Sequence, residues 1–484
     1  MTDLDPTASE LWAWPASVLT DAIGRREVSC TEVVTACLTR IETVNPAVNA
    51  LVEVHPERAL ELAAAADRAP GHGPLHGVPI SIKDNVDERG LPNSGGITAA
   101  AGAPVAGDAP VVRNLSGAGA ISVGRSNVPA FSLRWFSENE VYGRTVNPWN
   151  ASRTPGGSSG GAAAAVATGM VPIAHGNDIG GSVRYPAHVC GVMGLRPTVG
   201  RIPSWDGPSE QVPGLPPSPL LMAVEGVLAR TARDLALGLT AMAVPDLRDP
   251  ACVPAPFLWE PTLAHGATLG LIRGGEGAPV DATHLAALDA AAAALSDAGF
   301  VVEELAVPQL AEAHRLWVML LYEDLRGLLP AVHALGGEQI VGSLQHGYTL
   351  QEQMWGRPDL EMYVGGHVRR TALISEMQSL LERYPVIVMP AAGAATPEHG
   401  ADLEWETAAP LMASQWPSSA VPLLGLPGLT LPTGVGDDGL PTGVQLLGAR
   451  FGESALLDAA QAIADRIAPI TPINPRTFDQ EQEA

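Results

Sequence analysis

Between residues 74 and 235 short apolar runs alternate with turns rich in glycine, serine and proline, and this alternation constrains the fold more than any other feature. Runs such as Val78–Ile82 and Ala120–Gly124 have the length of buried strands, and each feeds a small-residue loop. Strands that empty into loops and helices in this way predict an α/β sheet, where reactive groups commonly sit on strand-following loops.

The flanking segments use the same alphabet. The first 70 residues read as helices: Ser29-Cys30-Thr31-Glu32 has the form of a capping box, and Pro56 opens a second helix through about Asp67. Further on, Thr268–Ile272 is a strand candidate, and Asp281 caps a helix that stops at Gly299 before Phe300–Leu305 resumes a strand. Val386–Met389 and Gly443–Leu447 read as strands, and Glu453 to Ile467 as a closing helix. Pro203–Pro219 and Pro245–Pro261 are expected on the surface, and residues 306–380 are expected to be helical and to shape a substrate entrance.

Composition narrows the class of protein. With 484 residues and 46% apolar content the chain can bury a large core. No uninterrupted apolar stretch reaches about 18 residues, so no membrane span is expected. The segment Met1-Thr2-Asp3-Leu4-Asp5 lacks the basic-then-apolar layout of a signal peptide. Cys30, Cys37, Cys190 and Cys252 have neither paired nor metal-binding spacing, which reads as free thiols in a reducing compartment. Together these features point to a cytoplasmic protein. A net charge of −24 repels phosphate backbones and argues against nucleic-acid partners.

One compositional detail carries chemistry. Among 28 basic residues, Lys83 is the single lysine. Arginine keeps its proton near neutral pH, whereas a lysine amine can release it if its pKa is lowered. Lys83 ends the apolar run Gly77-Val78-Pro79-Ile80-Ser81-Ile82, where desolvation favours the neutral amine.

Two Gly/Ser turns follow. They are Pro155-Gly156-Gly157-Ser158-Ser159-Gly160-Gly161, which leads into a small-residue helix, and Gly176-Asn177-Asp178-Ile179-Gly180-Gly181-Ser182-Val183-Arg184. Acyl transfer to serine needs a hydroxyl, a base and backbone donors aimed at the developing oxyanion. Ile179-Gly180-Gly181-Ser182 offers N–H groups free of Cβ obstruction, Lys83 offers the base, and Ser158 is placed to relay a proton. Neither turn is specific by itself; the conjunction with a lone strand-end lysine is. The twelve histidines form no His/Asp pattern, and His175 reads as a packed or hydrogen-bonded neighbour.

These segments resemble the amidase signature family. The resemblance rests on Arg153 to Gly200, including Cys190-Gly191 and Leu195-Arg196-Pro197-Thr198, and on Gly77–Asn85. It extends to Tyr142-Gly143-Arg144 through Asn147-Pro148-Trp149, and to Gly425-Leu426-Pro427-Gly428 with Thr442 to Leu446. It implies an α/β fold in a single large domain, with a central mixed sheet covered by helices on both faces.

By that resemblance Ser182 is the nucleophile, Ser158 the bridging serine on a cis-type peptide after Gly157, and Lys83 the base. Ile179, Gly180 and Gly181 form the oxyanion hole with Ser182. Ser159, Asp178 and Arg184 support the site, while Leu133, Arg134 and Trp135 are candidate substrate contacts. Asn177 and Ser126 stand where the family usually has Thr, and neither is expected to touch a catalytic atom. No metal or organic cofactor is implied.

The expected substrate is a small-molecule amide, with a carbamate as the alternative; homodimerisation is left open. Two rivals are weaker. Gly157-Ser158-Ser159-Gly160-Gly161 formally spells the elbow of an α/β-hydrolase, but Arg153–Gly156 is a poor strand. A glutaminyl-tRNA amidotransferase catalytic subunit shares the signature, but the acidic charge and Ile179, where such subunits tend to carry Thr, argue against it.

Overall fold

Val386 and Val388 join an apolar cluster containing Leu288, Leu295 and Leu456, whereas Ile387 and Met389 join another containing Leu316, Leu320 and Leu423. Val227 and Leu228 divide in the same manner. Successive side chains of a strand face opposite ways, so this sorting marks a sheet buried on both faces. The structure is a computed structural model that describes residues 8–476 except 70, 72, 205–214 and 276. The acidic N-terminal pentapeptide and the middle of the 203–219 stretch lie outside the described residues.

Thirteen strands occur among the described residues: β1 (Leu51–Val54), β2 (Pro79–Lys83), β3 (Ile121–Ser126), β4 (Glu138–Asn139), β5 (Gly143–Arg144), β6 (Ile173–Asp178), β7 (Met193–Arg196), β8 (Val224–Ala229), β9 (Thr268–Leu271), β10 (Val301–Glu304), β11 (Val386–Pro390), β12 (Gly428–Val435) and β13 (Pro441–Gly448). Eleven form one sheet in the order β1-β3-β2-β6-β8-β7-β12-β13-β11-β9-β10; β4 and β5 pair separately. The large sheet is mixed. β2 runs parallel to β3 and β6, whereas β6–β8 and β12–β13 are antiparallel. One continuous sheet makes a single domain, as the resemblance implies.

Local signals hold at several helix ends. Ser29 caps Cys30–Val48, accepting from the Glu32 N–H while the Glu32 carboxylate accepts from the Ser29 N–H. Asp281 caps Ala282–Asp297, and Gly299 follows in the left-handed region at φ +93°. The first 70 residues are not purely helical: Leu51–Val54 is a strand that pairs antiparallel with β3. Four residues between two helices carry too little periodicity to declare themselves. The expected helical region 306–380 holds the helices Gln309–Leu325 and Gly337–Trp355 and most of Leu360–Arg383. No described helix is long and apolar enough to cross a membrane. The four cysteines are free, and three of them are buried.

Candidate active site

Because β2 and β6 are parallel neighbours, Lys83 at the end of one strand and Asp178 at the end of the other reach the same edge of the sheet. The two serine turns meet there. Gly157 and Ser158 are joined by a cis peptide bond. A Cβ on Gly157 would collide with Arg134 O and Phe136 N, so only glycine lets this turn lie against the 131–136 loop. The Ser159 N–H donates to Ser182 O (3.1 Å), tying the first serine turn to the second.

Lys83 is fully buried, and its Nζ contacts two acceptors, Ser158 Oγ at 2.7 Å and Asn177 Oδ1 at 2.6 Å. Burial pulls the amine from its ordinary value down to about 7, although Glu225 and Asp178 pull the other way. The neutral form is therefore accessible near pH 7, which the chemistry of a base requires.

Asn177 departs from the sequence expectation that it touches no catalytic atom. Its amide oxygen, which can only accept, takes one N–H of the amine. Asn177 Nδ2 donates to Asn85 Oδ1 (3.0 Å), which turns that oxygen toward Lys83. Asn85 Nδ2 in turn donates to Ser132 Oγ (3.1 Å). His175 is a hydrogen-bonded neighbour: its Nδ1 accepts from the Lys83 backbone N–H (3.4 Å), which leaves Nε2 to donate to Glu225 Oε2 at 2.7 Å.

The turn carrying Ser182 is organised by Asp178. Its carboxylate accepts from the N–H groups of Gly181 (2.9 Å) and Val183 (3.1 Å) and from Arg184 Nε and Nη2 (3.0 and 2.9 Å). Burial alone would raise this carboxyl, but Arg184 and Arg196 outweigh it and hold it at about 2. Arg184 also donates to Gln445 Oε1 and Ser418 O, anchoring the turn to segments more than 200 residues further along the chain.

A pocket lies over this turn. It reaches Ile179, Gly180 and Ser182, and its walls include Leu133, Trp135, Trp317, Leu321, Tyr322 and Met412. Gly181 is not among its lining residues, and its N–H is already committed to Asp178. Of the expected donors, Ile179 and Gly180 line the pocket together with Ser182, whereas the Gly181 N–H is taken up by the Asp178 carboxylate.

Leu133, Arg134 and Trp135 all line the pocket, but the Arg134 charge is not free for a substrate. Its guanidinium forms a two-point pair with Asp402 (2.7 and 2.8 Å) and donates to Gln339. Trp317 is invisible to sequence reasoning because nothing in its own helix marks it; it faces the site only once Gln309–Leu325 packs beside the turn. Ser159 has no strand before it, and its buried hydroxyl donates weakly to Asn177 O (3.4 Å), so the elbow reading fails.

The Amidase family profile matches residues 32–457. The chain belongs to the Amidase family. The indoleacetamide hydrolase of Bradyrhizobium diazoefficiens is 38% identical over 464 residues, covering 94% of this amidase and 87% of the relative. A glutamyl-tRNA(Gln) amidotransferase subunit from Methylococcus capsulatus is 34% identical over 476 residues, covering 91% and 94%.

Among solved structures, a 6-aminohexanoate cyclic dimer hydrolase with substrate superposes at a TM-score of 0.80 and 27% identity, covering 96% and 99%. A bacterial aryl acylamidase of the amidase signature family does so at 0.78 and 27%, covering 94% and 96%. The amidase is thus an amidohydrolase of C–N bonds, close to indoleacetamide hydrolase.

Proposed function

We propose that this amidase hydrolyses an uncharged amide with a flat apolar acyl group, of the arylacetamide kind, through an acyl-enzyme on Ser182. The observation that carries the reading is the 2.7 Å contact between the buried Lys83 Nζ and Ser158 Oγ, at the base of the turn that presents Ser182 to the pocket. The neutral amine takes the Ser158 proton as Ser158 takes that of Ser182, and the Ser182 oxygen attacks the carbonyl carbon. The N–H groups of Ile179, Gly180 and Ser182 receive the negative charge on the carbonyl oxygen. The C–N bond then breaks as the proton returns by the same route to the leaving nitrogen. Water repeats the sequence on the ester, releasing the acid and restoring Ser182.

The acyl preference follows from the wall. Apolar and aromatic side chains dominate it, and the Arg134 charge is neutralised by Asp402, so a charged acyl group would lose its hydration without gaining a partner. Similarity to an indoleacetamide hydrolase supports the same class.

The test is turnover of indole-3-acetamide by the purified chain alone, with an aryl carbamate and an ester of the same acyl size alongside. Ser182→Ala and Lys83→Ala are expected to abolish hydrolysis, and a fluorophosphonate is expected to label Ser182. Full activity in either variant refutes the assignment. Hydrolysis without any added protein or tRNA excludes the amidotransferase reading; inactivity of the isolated chain on the whole panel favours it.

A further inference from the structure

The two indoles of the pocket wall do more than line it. Trp317 Nε1 donates to Ile179 O at 2.8 Å, and Trp135 Nε1 donates to Gly180 O at 2.8 Å. These carbonyls belong to the turn whose N–H groups face the reaction. A peptide group is planar and trans, so the carbonyl of one residue and the N–H of the next point in opposite directions. Holding Ile179 O therefore sets the Gly180 N–H, and holding Gly180 O sets the Gly181 N–H. The second plane displays the rule: the Gly181 N–H points away from Trp135 and onto Asp178 Oδ1.

We infer that Trp317 and Trp135 are positioning residues for acyl transfer, whose indole N–H groups lock the peptide planes of the Ile179-Gly180-Gly181 turn. This rests on the proposed role of that turn and of Ser182. Two consecutive glycines leave these planes free to rotate, so a turn this permissive needs an external brace. The brace is itself well held. The two indoles stack with centroids 6.2 Å apart at 27°, and Tyr322 packs edge-on against Trp317 at 6.4 Å. A Cβ on Gly180 would lie 2.6 Å from Trp317 Cζ2, so only glycine lets the ring close on the turn. The surface that contacts the acyl group thereby sets the Gly180 donor directly, through Trp317, and through Trp135 it fixes the neighbouring plane whose Gly181 N–H anchors the turn on Asp178.

Trp317→Phe and Trp135→Phe remove the N–H and keep most of the ring. Each is assayed on two substrates: an arylacetamide that reaches the indoles, and an acetyl p-nitroanilide whose methyl does not. The expected result is a loss of about tenfold in kcat on both substrates, on the scale of one hydrogen bond lost in the transition state, with KM for the acetyl substrate and Tm little changed. A loss confined to the arylacetamide, or expressed only in KM, overturns the inference and reduces the indoles to a wall. If Trp317→Phe does not fold, the same comparison in Trp135→Phe decides. Activity retained by Ser182→Ala would instead overturn the nucleophile assignment itself, so the two failures are distinguishable.

Discussion

At the scale of single residues, the site depends on how one amine is partnered. Among the described residues Lys83 has no carboxylate at hydrogen-bond distance; its partners are a hydroxyl and an amide oxygen. A neutral acceptor orients the amine without fixing its charge, so burial decides the protonation state and brings it to about 7. The proposed mechanism needs the deprotonated form. kcat/KM should therefore rise through about pH 7 and fall about tenfold per unit below it. Asn177→Asp replaces the acceptor with a carboxylate at the same 2.6 Å distance, which favours the ammonium and moves the profile to higher pH. Profiles of wild type and variant check this, and an unmoved profile in the variant would mean that another group titrates. Lys83 was legible in the sequence because it is unique and ends an apolar strand. Asn177 was not, because an asparagine between Gly176 and Asp178 says nothing about which neighbouring strand its amide will reach.

Among the elements, those written in local code were legible. The capping box of Cys30–Val48 and the Asp281 cap stand where the residues place them. Ser29→Ala removes the acceptor for the Glu32 N–H and should cost about 1 kcal/mol, read as a lower denaturant midpoint with unchanged slope. Leu51–Val54 was illegible for the opposite reason. Its strand character comes from β3, some 70 residues away, and not from its own four side chains. The helix Gln309–Leu325 lies between these cases. Its apolar content announces a buried helix, yet which side chain meets the active turn depends on its docking against Trp416–Leu424 and on the place of that pair beside the sheet.

For the whole molecule, the proposed base opposes the stability of the fold that houses it. The Lys83 amine is held at about 7 in the folded chain against an ordinary value of 10.5. Between those values the unfolded chain binds a proton that the folded one does not. The contribution is therefore intact above about pH 10.5 and is lost as pH falls toward 7. Lys83→Met removes this titration and places an apolar side chain of similar reach in the same burial. Its stability relative to wild type should increase by roughly 4 kcal/mol as pH falls from 10 to 7. Chemical denaturation across that range measures it; a constant difference would show that the wild-type amine stays charged in the folded state.

What the sequence alone decided is local or statistical: the α/β alternation, the helix caps, the one removable amine and the two serine turns, with their resemblance to a known signature. These are legible because strand period, capping and turn chemistry act over a few residues. What only the tertiary structure decided is the company those residues keep. Asn177 lies 94 residues from the amine it orients, and Trp317 lies 138 from the carbonyl it holds. The Gly181 N–H is spent on Asp178, and the Arg134 charge on Asp402. Each of these contacts is set by how eleven strands close into one sheet and how the helices settle on it. A hydrogen bond is directional over a few ångströms, so only the assembled fold can say which donors remain for a substrate.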